Sequence, residues 1–417
     1  MKKIIYLILL LTLTFVMVGC KTTSDNSEEI DNNNPTNITE DTSVKLGIDL
    51  IDDNMALFEN KRVGLITNAT GINSEWESTI DVLNNKVNLV ALFAPEHGIR
   101  GGDDGGTYVS NTTDSLTGLP IYSLYGTNYK PTEAMMSKID VLCIDIQDVG
   151  ARFYTFITTM SYAMDACSEY NKKFVVFDRP NPIGGVSVEG NSIDTDCLSF
   201  VGRFPIPQRH GMTMGELAEL FNNEYLDEKC DLTVIEMENW TRDMYFDETG
   251  CPWVLASPNM PTLDTAIVYP GTCIFGDTNL SFGKGTTRPF ELIGAPWMDS
   301  IETADALNDL SLPGVYFRPA AFTPSTSTNS GEVCFGVQVH VLDRKTFNSV
   351  KTGWAMLKVI RDMYPTDCQV YERALYVAGC HYIYEDTYSL DQLYNILDNE
   401  SVAFSKLRQP YLLYDVA

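Results

Sequence analysis

Between Lys61 and about Val234 the chain alternates short apolar runs with stretches whose apolar residues recur at helical spacing. KRVGLIT (61–67), VNLVALFA (87–94), IDVLCIDI (139–146), KFVVFD (173–178) and DLTVIEM (231–237) have the length and β-branched content of buried strands. SEWESTIDVLNN (74–85) predicts a helix opened by an N-cap serine, Ser74, and PTEAMMSK (131–138) a short one with proline in its first turn. TFITTMSYAMDACSEY (155–170) and TMGELAELFNNEY (213–225) predict longer helices. Strands alternating with helices over short polar connections predict an α/β fold with a Rossmann-like doubly wound sheet. Two connections, 97–130 and 179–212, are too long to be idle in a compact domain and are expected to wall a site.

The second half has another texture. Residues 251–300 are dense in Pro, Gly and Thr and show few convincing helices; a helix near 301–309, strands at 314–318 and 333–342 and a helix at 347–362 follow. The expected partition is a Rossmann-like catalytic domain over 44–246 and a smaller α+β auxiliary domain over 247–417. Ahead of both, Lys2 and Lys3 precede an apolar stretch that ends at Gly19-Cys20. This reads as a lipoprotein signal peptide over 1–20, with Cys20 as the lipidated residue. Residues 21–43 contain almost nothing that could be buried and read as a disordered tether. The protein is therefore expected outside the cytoplasm, held to the membrane by its lipid.

Composition narrows the partners. With 29 basic against 56 acidic residues the formal net charge is −27, which argues against nucleic acid. The ten cysteines form no C-x-x-C pair and sit mostly inside apolar runs, so they read as small buried hydrophobes. No G-x-G-x-x-G follows a strand, GKGTT (283–287) lacks the spacing of a phosphate loop, and VSVEG (186–190) misses the serine-hydrolase elbow. The four histidines lack ligand spacing and GGDDGG (101–106) lacks the further oxygens of a Ca²⁺ loop. No cofactor and no metal are expected.

What remains is carboxylate chemistry. Four apolar runs end in polar clusters: ITNATG (66–71), FAPEHG (93–98), IDIQDVGAR (144–152) and VFDRPNPIGG (176–185). In a parallel sheet, ligands bind beyond the carboxyl ends of the strands. That edge would bring together Asn68, Glu96, His97, Gln147, Asp148, Arg152, Arg179 and Asn181, a set suited to a polyhydroxylated, anionic sugar. Glu96 ends a strongly apolar strand, where partial desolvation suits a general acid. Asp148 would face the same crevice, and two carboxylates flanking a bond are what glycoside hydrolysis needs. More ordinary readings stand beside these: Glu96 capping a loop, Asp148 paired with Arg152, Asp145 satisfying backbone groups. Glu189 and Glu216 are alternative acids, although Glu216 lies in a helix's first turn, where the dipole alone accounts for it. Arg209 and His210 precede the helix at 213–225, an anion-binding end. Arg100, Arg152, Arg179, Lys284 and Arg288 could each hold a carboxylate. Tyr122, Tyr125, Tyr154 and Trp253 could stack on a sugar face.

FAPEHGIRG, TGLPIYSLYG, DVLCIDIQDVGARFYTFITTM, DRPNPIGG, SFVGRFPIPQRHGMTMGELA, SPNMPTLDTAIVYPGT and GTTRPFELIGAPW together resemble the NamZ (YbbC-like) family of exo-β-N-acetylmuramidases. The resemblance runs from about Gly64 to Val341. It implies a Rossmann-like N-terminal domain, a smaller C-terminal domain, a cleft between them, and release of N-acetylmuramic acid (MurNAc) from non-reducing ends of peptidoglycan fragments. It carries the glutamate of P-E-H-G onto Glu96 as catalytic. Asn259 and Asn279 are further candidate substrate contacts. Where family members tend to read F-E-G-T-N-x-S-E-G-R-G-T, this chain has Gly276, Phe282 and Lys284 in place of two glutamates and an arginine. The lactyl carboxylate of MurNAc gives the basic residues a purpose, and its acetamide asks for donors such as Asn68 and Asn181. Two rival readings are a lipid-anchored muropeptide receptor without turnover, and a metal-dependent hydrolase or deacetylase built on Asp145, Asp148 and His97.

Overall fold

The computed structural model describes residues 43–99 and 112–417, and in it the alternation of the first half becomes a seven-stranded sheet. Its strands are β1 (Val63–Thr67), β2 (Leu89–Ala94), β3 (Thr112–Thr113), β4 (Pro120–Ser123), β5 (Val141–Asp145), β6 (Lys173–Phe177) and β7 (Asp231–Ile235). They lie in the order β3-β4-β2-β1-β5-β6-β7, all parallel except the edge strand β3. Without β3 this is the strand order of the dinucleotide-binding Rossmann fold, with its reversal of direction between β1 and β5.

The continuous apolar runs have a structural cause: both faces of the sheet are covered. Ile66, Leu142, Ile144, Phe174 and Val176 point into one buried cluster, with Met160 and Met164 of α3 (Phe156–Glu169) and Leu217 and Phe221 of α4 (Met214–Glu224). Their neighbours Leu65, Val141, Cys143, Val175 and Phe177 point into another, shared with Ile80 and Leu83 of α1 (Thr79–Lys86). The helix at 131–138 shrinks to one turn, α2 (Glu133–Met136). α1 starts later than expected: Asn73 Oδ1 accepts from the amides of Glu75 and Glu77, Trp76 turns left-handed, and Ser78 rather than Ser74 caps the helix. A local turn thus outcompetes the first helical turn.

The second half adds α5 (Leu263–Thr272), β8 (Leu292–Ala295), α6 (Ser300–Asp309), β9 (Val315–Phe322), β10 (Cys334–Val341) and α7 (Ser349–Met363), then α8 (Ala374–Ala378), α9 (Tyr382–Glu385) and α10 (Leu390–Leu407). β10 lies between β8 and β9 in an antiparallel sheet. α5 lies in the stretch where few helices were expected. It carries Pro270 inside its last turn, and the amide of Gly271 is taken by Ser349 Oγ at 2.9 Å. α5 and α7 cross in close contact: a Cβ on Gly271 would stand 1.8 Å from Ser349 O, and one on Gly353 2.0 Å from Gly271 O. Only glycine fits at that crossing. The nine described cysteines are all unpaired and six of them are buried, as small hydrophobes. Among the described residues no helix is long and apolar enough to cross a membrane.

Candidate active site

A cavity of about 210 Å³ lies at the carboxyl edge of the large sheet. Its first wall is the turn after β2, closed by Gly98 N donating to Pro95 O at 3.1 Å with His97 at φ 72°. A non-glycine residue with left-handed φ is uncommon, and such residues concentrate at functional sites. Glu96 is half-buried in this turn, and the N-cap residue of α3, Thr155, donates its Oγ1 to Glu96 Oε2 at 2.6 Å. His97 meets the ring of Phe156 edge-on at 6.5 Å. Tyr154 completes this side. Burial pushes its phenol pKa up, the Asp148 and Glu96 charges add to that, and the hydroxyl stays protonated as a donor.

The opposite wall comes from the second half of the chain. Ser257, Asn259 and Met260 approach in the loop before α5, Tyr269 and Cys273 from α5 and its end, and Lys284, Phe290 and Val377 close the remainder. Lys284 sits between Gly283 and Gly285, both at φ 79°, and a Cβ on Gly285 would come within 2.5 Å of the Thr326 amide. The turn therefore needs glycine there and fixes where the lysine emerges. Its ammonium lies 5.4 Å from the Phe282 ring centroid and has no ion-pair partner among the described residues. The cavity thus offers a carboxylate, an ammonium, an imidazole and an amide inside an aromatic shell, which is the make-up of a small-ligand site.

Of the residues singled out from sequence, Glu96, His97, Tyr154, Asn259 and Lys284 line this cavity. Asp148 does not. It lies buried, near enough for its charge to act on the Tyr154 phenol, and accepts from Gly150 N at 2.7 Å, with His210 Nε2 3.6 Å away. His210 Nδ1 accepts from Met212 N, so a neutral ring carries its proton on Nε2, facing that carboxylate. Asp148 is not paired with Arg152. Arg152 is instead wholly buried and donates to the carbonyls of Asn191, Ile206, Val377 and Ala378. Arg179 grips Asp145 through Nε at 2.5 Å and Nη2 at 2.8 Å, and Thr79 also donates to Asp145, so Asp145 serves side chains rather than backbone. Asn181 bridges Met212 O and Ile183 N. Asn279 bridges Asp367 O and Gln369 N. Asn68 binds Thr70, Gln147 donates to Asp148 O and Pro180 O, and Arg288 pairs with Glu291.

The anion at the N-terminus of α4 is internal: Asp178 accepts from Thr213 Oγ1 and Gly215 N. Glu216 forms the capping box and pairs with Arg242, and Glu189 pairs with Arg209. Arg100, Cys20, the GGDDGG segment and the tether, save its last residue, lie outside the described residues. The sequence reading missed Phe153, Thr155, Val201, Ser257, Met260, Tyr269, Cys273, Phe290 and Val377. Two signals were present: Thr155 directly follows Tyr154, and Ser257 and Met260 flank Asn259 in SPNMPTLDT. One donor set among the described residues could hold a metal ion, Asp196, Cys197 and His381, with ligand atoms within 4.8 Å of one another. Asp196 and His381 are exposed, and none of the three lines the cavity.

Residues 63–264 match the model of the exo-β-N-acetylmuramidase NamZ N-terminal domain, and residues 267–414 that of its C-terminal domain. Over 379 residues the chain is 48% identical to the peptidoglycan β-N-acetylmuramidase NamZ of Bacillus subtilis (strain 168), covering 89% of this chain and 91% of that protein. The chain belongs to the NamZ family. Two crystal structures of DUF1343 family proteins from Bacteroides fragilis NCTC 9343 share its fold. One has a TM-score of 0.84 at 39% identity, covering 90% of this chain and 100% of that one. The other has a TM-score of 0.74 at 33% identity, covering 90% and 99%.

Set against the NamZ pattern, the substituted positions form one physical unit. A Cβ on Gly276 would meet the Phe282 ring at 3.4 Å, and that ring packs on Phe290 with centroids 5.5 Å apart. Where the pattern carries two glutamates, this member of the NamZ family has a glycine and a phenylalanine that fit each other behind a cavity wall. Asp277, next to Gly276, is held by Arg373 at 2.5 Å.

Proposed function

We propose that this protein is an exo-acting glycosidase that releases MurNAc from the non-reducing ends of peptidoglycan fragments, with Glu96 as the general acid. The observation that carries the assignment is Glu96 itself: among the described residues it is the one carboxylate lining the cavity, and Thr155 orients it. A cavity of about 210 Å³ suits one pyranose with its substituents rather than a chain, as removal of a terminal sugar requires. Lys284 would take the lactyl carboxylate, Asn259 the acetamide, and the buried phenol of Tyr154 would donate to a ring oxygen or hydroxyl.

In this reading Glu96 protonates the glycosidic oxygen as the bond to the anomeric carbon breaks, and an oxocarbenium-like charge develops on the sugar. Asp148 does not line the cavity, and its charge acts there only on the Tyr154 phenol. Stabilisation at the anomeric carbon then falls to the substrate's own acetamide or to an incoming water. Incubation with MurNAc-β-1,4-GlcNAc should yield free MurNAc by mass spectrometry, and Glu96→Gln should slow release by about 10²–10⁴-fold. A Glu96→Gln protein that works at the wild-type rate would remove Glu96 from the mechanism. A wild type that binds the disaccharide without cleaving it would make the protein a receptor.

The same reading extends to the chain's address. The Lys2–Cys20 pattern supports export and attachment through a lipid on Cys20. Labelled palmitate should enter the wild type and not Cys20→Ala; equal labelling of the two would end this part of the proposal.

A further inference from the structure

The cavity has a neighbour that the hydrolysis reading does not use. Ser199 and Gly202 close a two-residue turn by mutual backbone hydrogen bonds of 3.0 and 3.1 Å, with Phe200 and Val201 at its tip. Val201 lines the cavity. Phe200 joins other aromatic rings: its centroid lies 4.2 Å from Tyr129 at an interplanar angle of 35°, 5.7 Å from Tyr125 and 6.4 Å from Tyr162. The Arg203 guanidinium lies 4.1 Å from the Tyr162 centroid and pairs with Asp165, which braces the group from behind. Phe200, Tyr129 and Tyr162 belong to none of the three buried clusters, and Tyr129 is 37% exposed. Tyr125 follows β4 as Glu96 follows β2, and the two strands are parallel neighbours.

We infer that the Tyr129–Phe200 surface is the binding subsite for the sugar on the leaving-group side of the scissile bond, a β-linked N-acetylglucosamine-type pyranose. The inference rests on the proposed activity. An exo-acting enzyme holds the terminal sugar inside its cavity, so the next sugar must lie at the mouth, against whatever surface is there. β-Linked pyranoses with equatorial substituents present faces of axial C–H groups, which are apolar and pack on aromatic rings. The turn places the two functions back to back: Val201 touches the sugar that is released, Phe200 the one that leaves with the chain. An exposed aromatic ring such as Tyr129, next to a polar cavity, is the kind of surface that marks a binding site.

Calorimetry in a Glu96→Gln background, where turnover is blocked, tests this with two ligands, MurNAc and MurNAc-β-1,4-GlcNAc. Phe200→Ala and Tyr129→Ala should each raise the Kd of the disaccharide by about tenfold and leave that of the monosaccharide within about twofold. Phe200→Tyr should bind both as the parent does, and an unchanged melting temperature in each variant excludes loss of fold. Equal weakening of both ligands, or no weakening of the disaccharide, overturns the subsite, as does failure of the parent to bind the disaccharide more tightly than MurNAc. The activity reading fails separately, if the wild type with its surface intact releases no MurNAc.

Discussion

Lys284 makes the most specific residue-scale demand of the site. It stands where the NamZ pattern carries arginine, in a turn fixed by two left-handed glycines, without an ion-pair partner among the described residues. An ammonium gives a carboxylate one point contact where guanidinium would give two. Lys284→Met should raise KM for MurNAc-β-1,4-GlcNAc by about tenfold with kcat changed by less than about threefold, the pattern of lost ground-state binding. The same change should leave binding of a chitobiose-type disaccharide, which lacks the lactyl group, untouched; equal losses on both sugars would refute the assignment. Steady-state kinetics and calorimetry give both answers. The sequence located Glu96, His97, Tyr154, Asn259 and Lys284 because each belongs to a distinctive string. It misplaced Arg152, Arg179, Asn181 and Asn279 for a physical reason. A polar side chain at a strand end looks the same in sequence whether its partner is a ligand, a carbonyl or a buried Asp145.

At the scale of elements, strands were easier to read than helix ends. A strand buried on both faces needs an unbroken apolar run, and β1, β2, β5 and β6 have one. α1 was misjudged at its start because the side chain of Asn73 competes for the same amides, and α5 was missed because Pro270 and Gly271 advertise a loop. α4 carries a testable electrostatic consequence. Asp178 accepts from Arg179 N, Gly215 N, Thr213 and Tyr414, all of which favour the carboxylate, yet burial outweighs them and lifts its pKa to about 6. A folded pKa above the unfolded value of roughly 4 means the folded state holds the proton more tightly. The resulting stability is complete below about pH 4 and is lost as pH rises towards about 6. Tyr414→Phe removes one of the donors that oppose the shift, so the fall should extend to higher pH. Urea midpoints measured across pH 4–7 would show it, and an unchanged window would contradict it.

Over the whole molecule, buried arginines tie the two halves together. Arg152 spans the loop after β5, the 191–206 segment and α8, and burial lowers its pKa only to about 10, so it remains charged at neutral pH. Arg152→Met strands four carbonyls and should cost about 3–5 kcal/mol in chemical denaturation, with Arg152→Lys recovering part of it. Because Ala378, one of those acceptors, follows Val377 in the cavity wall, activity should fall with stability. A cost below about 1 kcal/mol would mean that water replaces the guanidinium without loss. The chain's last residues are tied in the same way: Arg408 donates to the carbonyls of Gly185, Val186 and His210, and Tyr414 to Asp178. This has a consequence in time. Chains emerge from synthesis N-terminus first, and the turn that carries Glu96 is made about 280 residues before Val377, the last residue of the opposite wall. Until that stretch has emerged the pocket lacks part of its opposite wall, so a shorter nascent chain cannot enclose a sugar.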